Sequence, residues 1–170
     1  IAQRGFLLLA LIVSAGEGGL HALWLTSLHH AIVHGLVLGV LQWSQRAPDS
    51  GTSISLVTKE RTISPRIPLL IGLLSLSGAP PLLGFAGRAR TLWAAQVQGL
   101  GGVAALGLAF SLVYGWVHIT IAQGLLQPAP GDGAPRTKAW VPVLWRVGLA
   151  AGAALLILLG IWPLSPLGLR

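Results

Sequence analysis

No cysteine occurs in the 170 residues, which excludes disulfides, iron–sulfur ligation and thiol catalysis by this chain. Methionine is absent too, even from position 1, so either the initiator is removed or the chain begins inside a longer one. No n-region and cleavage site of a signal peptide precede Ile1. Charge is the third shortage. Only 9% of residues are charged, against about a quarter in a soluble domain, while 54% are hydrophobic and the mean hydropathy is +0.76. That composition belongs to an integral membrane protein built of helices. The formal charge of +7 would suggest nucleic acid in a soluble chain. Here the basic residues fall in the gaps between apolar runs without an aromatic–basic groove pattern, so no nucleic-acid partner is expected.

Measured against the roughly 20 residues needed to cross a bilayer core, the apolar runs give six helical segments in a single transmembrane domain, residues 1–170. Ala2 to Ser14 is short and ends at "AGEGG". Leu20 to Trp43 is long enough to span alone. Polar residues at about 44–66 form a first loop. Ile67 to Ser77 is short and runs into Ala79-Pro80-Pro81. Phe85 to Val97 follows, then Val103 to Leu126, a second polar loop at about 127–140, and Val141 to Trp162. Seven tryptophans fall mostly near segment ends, where amphipathic rings favour the membrane interface. Basic residues divide almost evenly between the two sides, so charge does not set the orientation.

The stretch "SLSGAPPLLGFAGRAR", residues 75–90, interrupts this pattern. Pro80 and Pro81 remove two amide donors, so a helix arriving from Ile67 ends or unwinds near Ser77 or Gly78. Two readings stay open. In the first, Pro80, Pro81 and Gly84 break one helix inside the membrane, which requires an interior that satisfies the freed backbone. Small residues would let neighbours approach closely, and Arg88 would face protein or water, since a charge on lipid costs at least about 3 kcal/mol. In the second, the same residues form a tight loop between two spans, and Arg88 and Arg90 are snorkelling anchors.

A second group lies in "LHHAIVHGLVLG", which puts His30 and His34 at i, i+4 on one helical face. Imidazole titrates near neutrality, so histidines in a file inside a span suit proton transfer. Chelation of a metal is the competing idea, but the chain has four acidic residues and Glu17 alone lies near, so no metal site is expected. His29 is read as a hydrogen-bonding residue near a helix end, and His118 as a packing residue. No nucleotide, flavin or metal motif is present, so no catalytic residue is expected.

"SLSGAPPLLGFAGR", with an apolar helix and then "SLVYGWVH", resembles the antiporter-like membrane-arm subunits of respiratory complex I, most closely NADH dehydrogenase subunit 2. The start, "IAQRGFLLLALI", is similar to that family's ninth helix and "LLGIWPLSPL" to its terminal helix, so the six segments match helices nine to fourteen in order. "VHGLV", with His34, is closer to subunit 4, the second choice. The resemblance implies a proton-path role for His34, His30 and Arg88. It places Arg88 where the family has a lysine in subunit 2 and a glutamate in subunit 4, and arginine keeps a charge without giving up its proton.

Family members carry two inverted repeats, and only the second plus the last helix is matched. The implication is a split subunit with a separate first-half fragment, or part of a larger subunit. The implied function is a membrane-arm component of NADH:ubiquinone oxidoreductase contributing to proton translocation. NADH, FMN, iron–sulfur clusters and quinone would be held by partner subunits, and no cofactor by this chain. The alternatives are a structural, non-pumping remnant and a subunit of a multisubunit cation/proton antiporter. The implied location is the mitochondrial inner membrane, with the bacterial plasma membrane as alternative, among other membrane-arm subunits and lipid.

Overall fold

A computed structural model describes residues 2–45, 63–126 and 143–161. Six helices are present among them: α1 (Ala2–Ile12, extended by a 3-10 turn at Val13–Ala15), α2 (Gly19–Gln45), α3 (Ile63–Ser77), α4 (Leu83–Val97), α5 (Gly101–Leu126) and α6 (Val143–Ile161). Three contain a stretch long and apolar enough to cross a membrane, Gly19–Val40, Gly101–Gly124 and Val143–Ile161, and these are the three uninterrupted runs of the sequence. The expected loop at 44–66 is shorter at both ends, because α2 continues through Gln45 and α3 opens at Ile63. Pro65 does not prevent the earlier start. It sits in the first turn of α3, where a missing amide hydrogen breaks no helical bond.

The arrangement is set by how α3 and α4 lie on their neighbours. Down α2 from Leu36, the facing residues are Gly72 of α3, then Gly84 beside His29, then Gly87 and Thr91 beside Thr26, and last Ala94 and Ala95 near Ala22. Along α5 the same order appears in reverse: Leu92 beside Gly107, Arg88 beside Ser111, the Ser77 carbonyl beside Gly115, and Leu69 and Leu73 clustered with Ala122. Two antiparallel spans joined by a tight loop would each run the length of α2. Instead, α3 covers one half of α2 and α4 the other. The pair is one discontinuous helix, broken at Gly78–Leu82 beside His29, midway along Gly19–Val40. This settles the two readings of the Pro-Pro stretch in favour of the broken helix.

Packing is correspondingly close around the break. On one side Leu36, Val40, Leu73, Leu149, Leu83 and Leu156 share a core; on the other, small residues Ala22, Ala94, Ala95 and Ala104 bring helices together around Val13 and Leu9. Apolar side chains gain little from leaving lipid, so such interfaces rely on fit and on small residues. A methyl group at Gly39 would lie 3.2 Å from the Trp145 ring, which packs there. The outer faces of α5 and α6 expose Leu106, Phe110, Val113, Trp116, Leu144 and Leu158, an apolar surface suited to lipid or other helices.

Candidate functional site

The site grows from the two ends created at the break. The last four carbonyls of a helix have no partner within it. In α3, Gly78 takes a left-handed conformation (φ 83°), which lets the Gly78 amide donate to the Ser75 carbonyl and the Ala79 amide to the Leu74 carbonyl, both at 3.1 Å. A side chain at Gly78 would be strained. Pro80 and Pro81, joined by a cis bond, then end the helix because neither has an amide hydrogen to offer.

The two remaining carbonyls are answered from α4. Side chains on a helix lean toward its N-terminus, so the long arm of Arg88 returns to the end of α3. Its Nη1 donates to the Ser77 carbonyl at 3.0 Å and to Ser111 Oγ of α5 at 2.8 Å, and its Nη2 donates to the Leu76 carbonyl. Gln3 Nε2 also donates to the Leu76 carbonyl, at 3.1 Å. The Phe6 and Tyr114 rings lie 5.4 and 5.8 Å from the guanidinium carbon, within cation–π range. Arg88 is 6% exposed, so it is not a snorkelling anchor. The only acidic side chain among the described residues is Glu17, exposed at the α1–α2 turn, so carbonyls, a hydroxyl and aromatic faces hold the charge.

On α2, His30 Nδ1 donates to the Thr26 carbonyl at 3.0 Å and His34 Nδ1 to the His30 carbonyl at 2.8 Å. Carbonyls only accept, so in both rings Nδ1 carries the hydrogen and Nε2 is the position where a further proton is gained or lost. The two rings stack with centroids 5.4 Å apart and planes 17° from parallel. His34 opens into a cleft of 360 Å³, lined by Gln3, Arg4, Val33, Val37, Leu76 and Tyr114, with room for several waters. The cleft runs from His34 to Leu76, whose carbonyl Arg88 holds. His34 lines this cleft and Arg88 does not, reaching it only through the Leu76 carbonyl; His30 is half-buried behind His34, its Nε2 buried and unpartnered among the described residues.

His29 differs from its expected place. It is mid-helix, 3% exposed, and its Nε2, unpartnered among the described residues, packs against Gly84. Gly84 is a close-contact residue as much as a helix breaker: a methyl group there would strike the Ser75 carbonyl oxygen and come within 2.8 Å of His29 Nε2. Ser75, Ser111 and Tyr114 were missed as site residues. A signal for two of them was available, since Ser111, Tyr114 and His118 recur at helical spacing and Tyr114 is the single tyrosine. In the fold, His118 Nδ1 donates to the Tyr114 carbonyl at 2.9 Å, and its ring packs on that of Tyr114, 4.2 Å between centroids.

Comparison with known proteins places the chain in a family. Curated relatives include the NAD(P)H-quinone oxidoreductase subunit 2 of Acaryochloris marina, 26% identical over 148 residues that cover 86% of this chain and 28% of that protein. The protein of the same name from Synechocystis sp. is 26% identical over 149 residues, with the same coverages. The NADH-quinone oxidoreductase subunit N of Geobacter metallireducens is 25% identical over 169 residues, 96% of this chain and 34% of that protein. The chain therefore spans about a third or less of these relatives, and the names of the first two side with the subunit 2 resemblance over subunit 4. Residues 1–113 match the family model described as "NADH:quinone oxidoreductase/Mrp antiporter, TM", and with most of its length inside that match the chain belongs to this family of transmembrane antiporter-like proteins.

Proposed function

We propose that this chain is a membrane-arm component of an NAD(P)H:quinone oxidoreductase and contributes to proton translocation coupled to NADH oxidation in partner subunits. The observation that carries the reading is a buried arginine, with no carboxylate partner among the described residues, at a helix break beside the middle of the α2 span, bonded to the carbonyl of Leu76, which lines the cleft with His34. Charges at that depth are expensive and functional by default. His34 and His30 accept and release protons at Nε2, and Arg88 supplies a fixed positive charge at the inner end of the route. The chain performs no redox step. NADH, FMN, iron–sulfur clusters and quinone belong to partner subunits in this reading, and a chain without cysteine has no thiolate to offer a cluster.

Partners are also required by the surface. Arg4 is exposed and lines the cleft with His34 and Val37, inside the stretch that α2 uses to cross the membrane. Bare lipid is a poor neighbour for it, so another membrane-embedded segment covers this face. The rest of the subunit, on a separate polypeptide or on the same one, is the natural occupant. The named relatives are bacterial, which favours a bacterial membrane over the mitochondrial inner membrane.

Two other readings keep specific support. The family description includes Mrp antiporters, which fits a cation/proton exchanger, and an arginine that keeps its proton fits a non-pumping remnant. Replacing histidine separates them. With the intact complex in vesicles, His34→Ala and His30→Ala are expected to leave NADH oxidation in detergent unchanged and to remove this chain's entire share of the protons moved per NADH. An unchanged proton count would favour the remnant.

A further inference from the structure

The two halves of the broken helix satisfy each other's ends. Both α3 and α4 finish in a left-handed glycine turn. At the end of α4, Gly99 (φ 78°) and Leu100 donate their amides to the Gln96 and Ala95 carbonyls at 3.1 and 2.9 Å. Val97 and Gly99 at that turn are exposed. The same turn at Gly78 lies beside the middle of the α2 span, and there the two leftover carbonyls, Leu76 and Ser77, both take a guanidinium hydrogen from Arg88. In return, Ser75 of α3, fully buried, accepts the Gly84 amide of α4 at 3.2 Å, one of the orphan donors of that helix start.

We propose that Arg88 and Ser75 form a reciprocal lock that fixes the two half-helices to each other, with Ser111 as its anchor on α5. The lock requires the arginine fork and not merely a positive charge. A guanidinium presents five N–H groups in a rigid plane, so it reaches Leu76, Ser77 and Ser111 together; an ammonium is a single point on a flexible stem. Arg88 and Ser75 are then positioning residues. The proposal deepens the proton-path reading, since it explains why the charge at the inner end of the route is immobile, but it stands on the break itself. It runs against what the family resemblance implies, under which Arg88→Lys restores the family's residue.

Hydrogen–deuterium exchange on the intact complex, read by mass spectrometry, tests the lock independently of pumping. In Arg88→Lys the Gly78 and Ala79 amides should exchange about tenfold faster or more, the size of one lost charge-assisted hydrogen bond. In Ser75→Ala the Gly84 amide should accelerate by a similar factor, and Arg146→Lys on the exposed face of α6 should change neither region. Ser75→Ala keeps the test available if Arg88→Lys does not assemble. Wild-type exchange at the break in either variant would overturn the lock. Faster exchange with an unchanged proton count per NADH would support the lock while removing Arg88 from the proton route.

Discussion

Gly84→Val is expected to prevent this chain from entering its membrane assembly. Even the first carbon of the new side chain would strike the Ser75 carbonyl oxygen and crowd His29 Nε2, and both are held in place. Ser75 belongs to the last turn of α3, and His29 lies in the middle of a 27-residue helix. Overpacking a well-fitted interior costs about 1–3 kcal/mol when side chains can yield, and more when the obstacle is backbone. Polar contacts between membrane helices contribute only about 1–2 kcal/mol each, so a single collision of this kind outweighs the Ser75–Gly84 bond it also breaks. Gly35→Val is the matched control, because a side chain there meets open space. Native electrophoresis of solubilised membranes should show the Gly35 variant in the assembly and the Gly84 variant missing from it.

Arg88→Leu should act differently, leaving a chain that still assembles but moves no protons. Losing the guanidinium strands the part-buried Ser77 carbonyl and leaves that of Leu76 to Gln3 alone, at about 1–3 kcal/mol per stranded group. Against this, a charge that costs at least about 3 kcal/mol at membrane depth is removed. The two effects are of similar size, so the stability loss is modest and the functional loss dominates: the route from His34 ends at an apolar side chain. The expected result is NADH oxidation retained in detergent and a proton count per NADH reduced as far as in His34→Ala.

Much of the site was legible in the sequence because the residues involved are costly in a membrane. Two adjacent prolines, an arginine and a histidine file have no comfortable place in lipid, so Pro80, Pro81, Arg88, His30 and His34 announce themselves. The relation of α3 to α4 did not. Two 15-residue helices around Pro-Pro read identically as a hairpin and as a broken span. Only their neighbours decide, Gly72 against Leu36 and Gly87 against Thr26. Ser75 and Ser111 escaped notice for a related reason. A serine in an apolar helix commonly bonds its own backbone, and these two matter because the break brings Gly84 and Arg88 to them. His29 was read as lying near a helix end, whereas it sits mid-helix where the break meets α2, a meeting that depends on how α3 and α4 pack and not on the sequence around His29.

The association with an NADH-oxidising complex is the claim on which the functional account rests. Its most direct test is native electrophoresis of mildly solubilised source membranes with an in-gel NADH dehydrogenase stain, followed by identification of this chain in the gel slices by mass spectrometry. The account predicts that the chain runs with the stained complex, together with sequence matching the remaining two thirds of its relatives. If it ran instead in an unstained assembly that exchanges sodium for protons, the oxidoreductase reading would be contradicted.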